Sequence, residues 1–115
     1  MLGRRNRLTS GAEFSRAVHR GRRAGTSTLV LHLGAPTGRH EGGVRVGFVV
    51  GRQVGPAVTR NRVRRRLRHI ARARLASIPA PALLVVRALP AAGSSPFARL
   101  ADDFDTALGR LGGTR

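Results

Sequence analysis

The sequence predicts an α+β fold, a two-layer α/β sandwich in which helices pack on a β-sheet. Apolar residues recur at helical spacing in three segments, alternate or form short runs between them, and are separated by Gly and Pro. The predicted element order is α-β-β-α-β-α, and residues 51–54 are compatible with one further short strand. With 115 residues, the chain is expected to form one domain, 1–115, around one hydrophobic core.

The first helix is predicted from its N-terminal signal. Ser10 is followed three residues later by Glu13, the spacing of a capping box. Gly21 suits the left-handed position that often ends a helix. The apolar residues between these signals share one helical face: Phe14, Ala17 and Val18.

Two strands are predicted next, over residues 26–33 and 44–50, with a Gly- and Pro-rich loop at 36–43 between them. Alternation is clear in the second strand, and it places four apolar residues on one face: Val44, Val46, Phe48 and Val50. Because the loop is short, we expect these two strands to form an antiparallel pair.

Residues 51–58 are predicted to be a short extended link, and a long helix is predicted to follow it. One face of this helix is apolar: Val63, Leu67, Ile70, Ala71 and Leu75. The opposite face is basic: Arg62, Arg65, Arg66, Arg68, His69 and Arg72. Asn61 fits either a helix cap or an amide that contacts a backbone or a base edge of a bound partner. Arg74 points toward the apolar side with no evident partner.

The C-terminal part predicts a buried strand and a helix. Residues 82–89 are a short apolar run. Ser95 and Pro96 fit an N-cap and a first-turn proline, and Gly112 with Gly113 ends the helix. The apolar face of this helix is predicted to contain Phe97, Leu100, Ala101, Phe104, Leu108 and Leu111.

The charge distribution indicates a polyanionic partner. All 22 basic residues are arginine, only five residues are acidic, and the formal net charge is +17. Six arginines lie between 60 and 68, and residues 42–101 contain no carboxylate. A solvated helix ordinarily pairs arginine with acids one turn away, and this one lacks them. Guanidinium groups bind phosphates in bidentate geometry, which favours nucleic acid.

Other classes fit less well. The arginine helix lacks the large aromatic anchors of a membrane-surface helix, and its apolar face suits core packing. The chain has no cysteine, no apolar stretch long enough to span a bilayer and no secretory signal, so a cytoplasmic location is expected. The four histidines are scattered, and the sparse acids offer no two-metal site. A free-standing nuclease is therefore disfavoured.

The segment 51–69, GRQVGPAVTRNRVRRRLRH, resembles the signature of the protein subunit of bacterial ribonuclease P, with its Arg-Asn-Arg motif at 60–62. The resemblance extends over most of residues 4–111 with similar spacing. The matching segments are NRL at 6–8, EF at 13–14 with Gly21, LVLHL at 29–33, RVGFVVGRQVG at 45–55 and LLVVRALPAA at 83–92.

This resemblance implies an α-β-β-β-α-β-α order and a four-stranded, ribosomal-protein-like sheet with a left-handed β-α-β crossover. Crossover connections between parallel strands are nearly always right-handed, so the left-handed crossover is expected only because of the resemblance. It also implies a subunit of the endoribonuclease that removes the 5′ leader from precursor tRNA. In that family the RNA subunit holds Mg²⁺ and performs hydrolysis. We therefore expect this chain to contribute no catalytic side chain, bound metal or cofactor.

The resemblance assigns two groups of site residues. Those expected to bind the catalytic RNA are Arg60, Asn61, Arg62, Arg65, Arg66 and Arg68. Those expected to bind the single-stranded leader, in a cleft between the first helix and the sheet, are Asn6, Arg7, Phe14, Val18, His32 and Arg52. Val18 and His32 replace residues that are often aromatic in the family, so we expect weaker stacking and a larger share for charge. Phe14 also fits an ordinary core position.

Two RNA- or DNA-binding alternatives remain. A ribosomal or other structural RNA-binding protein would need the arginine helix but no groove for a single strand. A helix-turn-helix DNA-binding protein would need two helices joined by a short turn, whereas strands are predicted on both sides of the arginine helix. We expect the protein to be monomeric without RNA and to have no membrane partner.

Overall fold

The computed structural model describes residues 11–35 and 43–112, which form three helices and four strands. In chain order they are α1 (Gly11–Arg20), β1 (Arg22–Gly25), β2 (Leu29–Gly34), β3 (Val44–Val49), α2 (Ala57–Ala73), β4 (Ala82–Ala88) and α3 (Phe97–Arg110). Short 3-10 turns lie between them at Arg52–Val54, Leu75–Ser77 and Pro90–Ser94. The side chains of Glu13, Phe14 and Arg16 lie outside the description. So do Ser10, with its predicted cap, and most of the loop at 36–43.

The four strands form one mixed sheet in the order β1-β2-β4-β3. β2 is antiparallel to β1 and β4, whereas β3 is parallel to β4 and connects to it through α2. The predicted antiparallel pairing of 26–33 with 44–50 is therefore wrong, since β4 lies between these strands. β4 is buried along nearly its whole length, and a strand that is apolar on both faces is best placed inside a sheet.

The additional strand lies at Arg22–Gly25, not at 51–54 as the sequence suggested. Its sequence, RRAG, has no apolar alternation, so it gave no signal; it is an edge strand that pairs with β2 through the backbone. Residues 52–54 form a 3-10 turn in which Val54 alone is buried, so the link after β3 is not wholly extended. The complete order, α-β-β-β-α-β-α, is the one that the resemblance implies.

The main core lies between one face of the sheet and the helices α2 and α3. It contains the predicted apolar residues of α2, together with Leu100, Phe104 and Leu108 of α3 and alternate residues of the strands. On the opposite face Ala17 and Val18 of α1 pack against Leu83 and Val85. The predicted α+β class is confirmed, and α1 adds a partial cover on the second face.

Gly21 permits close packing of α1 on the sheet, although the sequence suggested a different role. It does not have the left-handed conformation predicted for it; among described glycines only Gly55 and Gly112 have positive φ. A Cβ atom at Gly21 would lie 2.5 Å from the carbonyl oxygens of Ala17 and Leu33. The absence of a side chain therefore lets the end of α1 approach β2.

The two ends of α3 differ in how well they were predicted. Gly112, with φ of 71°, follows the helix as expected. The N-terminal prediction is wrong, because Pro96 occupies the cap position and Ser95 does not cap the helix. The Ser95 hydroxyl instead donates a hydrogen bond of 2.7 Å to the Ala91 carbonyl within the preceding turn.

Carboxylates of α3 connect this helix to the rest of the fold. Asp103 is buried and accepts hydrogen bonds from Thr28 Oγ1 at 2.6 Å and Arg99 Nε at 3.3 Å. Asp105 accepts two bonds from Arg74, one of them 3.1 Å from Nη2 to Oδ2. Arg74 therefore has a partner on α3, which explains an arginine on the apolar side of α2.

Candidate RNA-binding surfaces

The first surface is formed by α2. One side of this helix packs in the core, so the opposite, basic side faces outward. Val63, Leu67, Ile70 and Ala71 are buried in the core, as predicted. Because these positions occupy one stripe of the helix, the arginines between them project away from the sheet. Asn61, Arg65 and Arg68 are exposed, and Arg60, Arg62 and Arg66 are half-buried.

Two of the half-buried arginines hold the turn that precedes α3. Arg62 Nη2 donates to the carbonyl of Gly93 at 3.1 Å, and Arg66 Nη1 donates to that of Ser95 at 3.3 Å. These arginines are one helical turn apart, so they clamp consecutive parts of the same segment. Part of each guanidinium is used inside the protein, and each still has further N–H donors.

Asn61 lies within the helix and does not cap it. The cap position of α2 is Pro56, so the capping role considered for Asn61 is wrong. Its Oδ1 accepts a hydrogen bond of 3.2 Å from Arg64 Nη1 at the exposed surface. The amide thereby orients one arginine, and its NH₂ group remains a donor at the protein surface.

The exposed side of α2 carries a groove of about 610 Å³ lined by four of these polar residues and a histidine. The lining residues are Asn61, Arg64, Arg65, Arg68 and His69. Within residues 11–35 and 43–112, ion pairs with carboxylates involve Arg74 and Arg99, not the arginines of 60–72. The groove is therefore strongly cationic and suited to phosphate groups.

A second surface lies on the face of the sheet that α1 partly covers. Strand pairing places Arg23, His32, Val85 and Gly47 in one row across this face, and Gly25, Val30, Arg87 and Val49 in the next. α1 packs over the first row at Val85, whereas Val49 in the second row is 39% exposed. We call the area formed by Arg23, Val30, His32, Val49 and Arg87 the α1-side surface.

His32 and Arg87 form the polar contact of this surface. Arg87 Nη2 lies 3.1 Å from His32 Nε2, and His32 is only 1% exposed. Since guanidinium is solely a donor, Nε2 must accept, which puts any single ring proton on Nδ1. Burial lowers the pKa of His32, and the positive charge of Arg87 and then of Arg23 lowers it further. The imidazole is therefore held neutral and orients Arg87.

The residues predicted to bind the leader differ in their structural positions. Asn6 and Arg7 lie outside the described residues, as does the Phe14 side chain. Val18 is a partly buried residue of α1 that packs toward the sheet, and Arg52 is exposed in the turn that follows β3. Val18 and His32 both lie on the α1 side of the sheet.

The described residues carry groups for binding anions. No three His, Asp or Glu side chains among them come together as metal ligands could. None of the described helices has the length and apolar character needed to cross a membrane. The chemical groups that these residues do offer are guanidinium groups, on α2 and on the α1-side surface.

An α+β fold with an arginine-covered helix and a second basic surface defines a small RNA-binding protein. Over residues 2–112 the chain matches the family model described as Ribonuclease P. The chain therefore belongs to the ribonuclease P protein family, which acts in tRNA processing.

Its relatives match along the full chain. The ribonuclease P protein component of Nocardioides sp. is 53% identical over 114 residues, covering 97% of this chain and 96% of that protein. That of Acidothermus cellulolyticus is 51% identical over 115 residues, covering 100% of this chain and 95% of that protein. The RNase P protein of Staphylococcus aureus shares the fold, with a TM-score of 0.84 at 20% identity over 96% of this chain and 98% of that chain.

Two features of these surfaces do not follow from the predicted elements. Arg87 lies in a strand predicted to be buried, and an arginine inside that apolar run is the one sign that it faces something polar. The carbonyls of Gly93 and Ser95 carry no sequence signal as partners of Arg62 and Arg66, because any residue type supplies a carbonyl.

Proposed function

We propose that this chain is the protein subunit of ribonuclease P, which binds the catalytic RNA and the 5′ leader of precursor tRNA. Its binding broadens the range of substrates bound and lowers the magnesium requirement, because arginines offset repulsion between two RNAs. The observation that carries the proposal is the cationic side of α2 in a chain whose family is ribonuclease P protein.

The catalytic RNA binds along α2 through Arg60, Asn61, Arg62, Arg65, Arg66 and Arg68. The exposed guanidinium groups of Arg65 and Arg68 contact phosphates, and phosphate contacts fix the register of a protein on RNA. Arg62 and Arg66 also hold the turn before α3, so they shape the surface as well as charging it.

The leader passes over the α1-side surface toward Arg52 and contacts Val18 of α1. The resemblance adds Asn6, Arg7 and Phe14 as further leader-binding residues. Arg87 supplies a positive charge there, and Val30 and Val49 supply apolar contact area. His32 is buried, so its part in leader binding is to orient Arg87. A single strand bound this way is held mainly by charge, with few stacking contacts.

Hydrolysis is assigned to the RNA subunit, with Mg²⁺ held by that RNA and no catalytic side chain in this chain. The chemistry of the described residues supports this division, because they offer guanidinium groups and lack a cluster of carboxylates for two metal ions. The protein would work in the cytoplasm, where precursor tRNA is processed in bacteria, as a monomer in the absence of RNA.

The test is cleavage of a 5′-labelled precursor tRNA at low magnesium concentration. The ribonuclease P RNA of Acidothermus cellulolyticus, whose ribonuclease P protein component is 51% identical to this chain, would be used with and without this protein, alongside the protein alone. We expect cleavage at the mature 5′ end only when both components are present. RNA binding without rescue of cleavage would favour a structural RNA-binding protein instead. Cleavage by the protein alone would overturn the assignment of hydrolysis to the RNA.

A further inference from the structure

Phe97 is an aromatic residue at the protein surface, although helical spacing predicted that it belongs to the core. Its side chain is 39% exposed, whereas Leu100 and Phe104 on the same helix are completely buried. Among the described residues, Val49 and Val58 are the other large apolar side chains exposed to this degree. An exposed phenylalanine beside a cationic helix is a feature that folding alone does not explain.

The position of Phe97 is set by the arginines of α2. Arg62 and Arg66 bind the carbonyls of Gly93 and Ser95, which directly precede the start of α3. The clamp brings Phe97 beside His69, with ring centroids 5.7 Å apart and planes inclined by 62°. This is the edge-to-face arrangement that aromatic rings prefer. We call His69 and Phe97 the aromatic platform.

The platform reaches the cationic groove through His69, which lines it. Along α2, His69 lies next to Arg68, one helical turn from Arg65 and about two turns from Asn61. It is exposed, as are Arg65 and Arg68. A ring and three arginines, Arg64, Arg65 and Arg68, therefore line the same space of about 610 Å³, which exceeds what a phosphate needs and suits a nucleotide.

We infer that the aromatic platform binds one unpaired base of the catalytic RNA by stacking on His69. Arg65 and Arg68 bind the phosphates on either side of that nucleotide, and Phe97 fixes the orientation of the imidazole. Single-stranded RNA is commonly bound by this combination of stacked rings and basic groups. The inference rests on the proposed function and adds a stacking contact to the phosphate contacts already assigned.

The experiment measures how two matched variants of the protein bind the ribonuclease P RNA of Acidothermus cellulolyticus. His69→Phe keeps a ring and His69→Leu removes it, and neither side chain carries charge, so their difference reports stacking. We expect His69→Phe to bind within about twofold of the unmodified protein and His69→Leu to bind about tenfold more weakly. Phe97→Leu, which removes the supporting ring, should also weaken binding.

Salt dependence separates stacking from phosphate binding. For His69→Leu the slope of log affinity against log salt concentration should match that of the unmodified protein. For Arg65→Gln the slope should become less steep by about 0.7–0.9, because one phosphate contact is lost. Thermal unfolding of each variant checks that the fold is retained.

Equal affinities for His69→Phe and His69→Leu would overturn the inference, whether both bind normally or both bind weakly. Failure of the unmodified protein to bind this RNA would instead overturn the proposed function, so the two failures are distinguishable. A folded Phe97→Leu variant with unchanged affinity would contradict the positioning role of Phe97.

Discussion

At the scale of single residues, the environment of His32 links protonation to folding. Among the described residues, the charged or titratable neighbours that lower its pKa are all basic: Arg87 on β4, Arg23 on β1 and His19 on α1. Burial and these charges lower the pKa of the native imidazole below its ordinary value of 6.5. As pH falls through 6.5, the unfolded chain binds a proton that the native state still rejects. The free energy of unfolding therefore has its full value, as far as His32 is concerned, above this pH and decreases as the pH falls below it.

We predict that His32→Gln makes stability less sensitive to mild acid. The glutamine amide does not titrate, and its oxygen still provides an acceptor for Arg87. The free energy of unfolding, measured with urea at about pH 7.5 and about pH 5.5, should decrease less for the variant than for the unmodified protein. Equal pH sensitivity of His32→Gln and the unmodified protein would contradict the buried, neutral imidazole.

Asp103 is a second ionisable group whose contacts matter individually. Burial opposes its charged form, but hydrogen bonds from Thr28, Arg99 and Ser27 outweigh this effect and lower the pKa of the carboxyl group. Its contribution to stability is thus present above the ordinary carboxyl pKa and is lost in stronger acid, well below the range in which His32 acts.

Asp103→Asn should lower the free energy of unfolding by about 1–3 kcal/mol, since an uncharged amide accepts these hydrogen bonds less well and turns donors toward donors. Urea unfolding near neutral pH measures this effect. Asp102→Asn is the matched control, because Asp102 is the adjacent carboxylate and is exposed. A loss of similar size in both variants would indicate a general charge effect and would count against the Asp103 network.

At the scale of elements, the contact between α1 and β2 depends on two glycines. Gly21 and Gly34 lie where helix and strand meet, and a Cβ atom on Gly34 would lie 3.1 Å from Cα of Ala17. The atoms that surround Gly21 belong to the backbone of both elements and cannot rotate aside. The approach of α1 therefore sets the width of the α1-side surface.

Gly21→Ala is expected to destabilise the protein by about 1–3 kcal/mol through overpacking of this contact. Gly11→Ala introduces the same methyl group on α1, where nothing lies within 4 Å, and should leave stability nearly unchanged or slightly raised. Thermal unfolding compares the two variants. Unchanged stability of Gly21→Ala would show that helix and strand separate easily, contrary to the close packing described here.

At the scale of the whole molecule, charge is the dominant property. The formal net charge is +17, and α2 alone contains seven of the 22 arginines. If about six arginines contact phosphates, log affinity for RNA should fall with log salt concentration with a slope of about −4 to −5.

The salt slope also locates the interface. Arg68→Gln should reduce its magnitude by about 0.7–0.9, the effect of losing one phosphate contact. Arg110→Gln is the control, since Arg110 lies at the end of α3 and donates to the Gly25 carbonyl on the edge strand β1. Filter binding over a range of salt concentrations provides the slopes. Equal effects of the two substitutions would mean that RNA responds to total charge and not to the α2 surface.

Local patterns predicted most elements, but pairing required the folded chain. Helical spacing identified the buried residues of α2, and alternation identified those of β3. Arg22–Gly25 could not be recognised as a strand, because backbone hydrogen bonds to β2 hold it and backbone groups are the same in every sequence. Ser95 shows the same limit, since its place before Pro96 predicted a helix cap, whereas its hydroxyl donates to the Ala91 carbonyl.

The sequence by itself determined the composition of this protein's surfaces: an arginine helix with an apolar back, few acids and the motifs of the ribonuclease P family. Tertiary structure alone decided which side chains meet. His32 and Arg87 lie 55 positions apart and Arg74 and Asp105 lie 31 apart, and neither separation has a periodic signal. The clamp that brings Phe97 to His69 likewise depends on backbone carbonyls. Helices and strands follow from interactions between near neighbours in the chain, whereas these sites follow from how the completed elements pack.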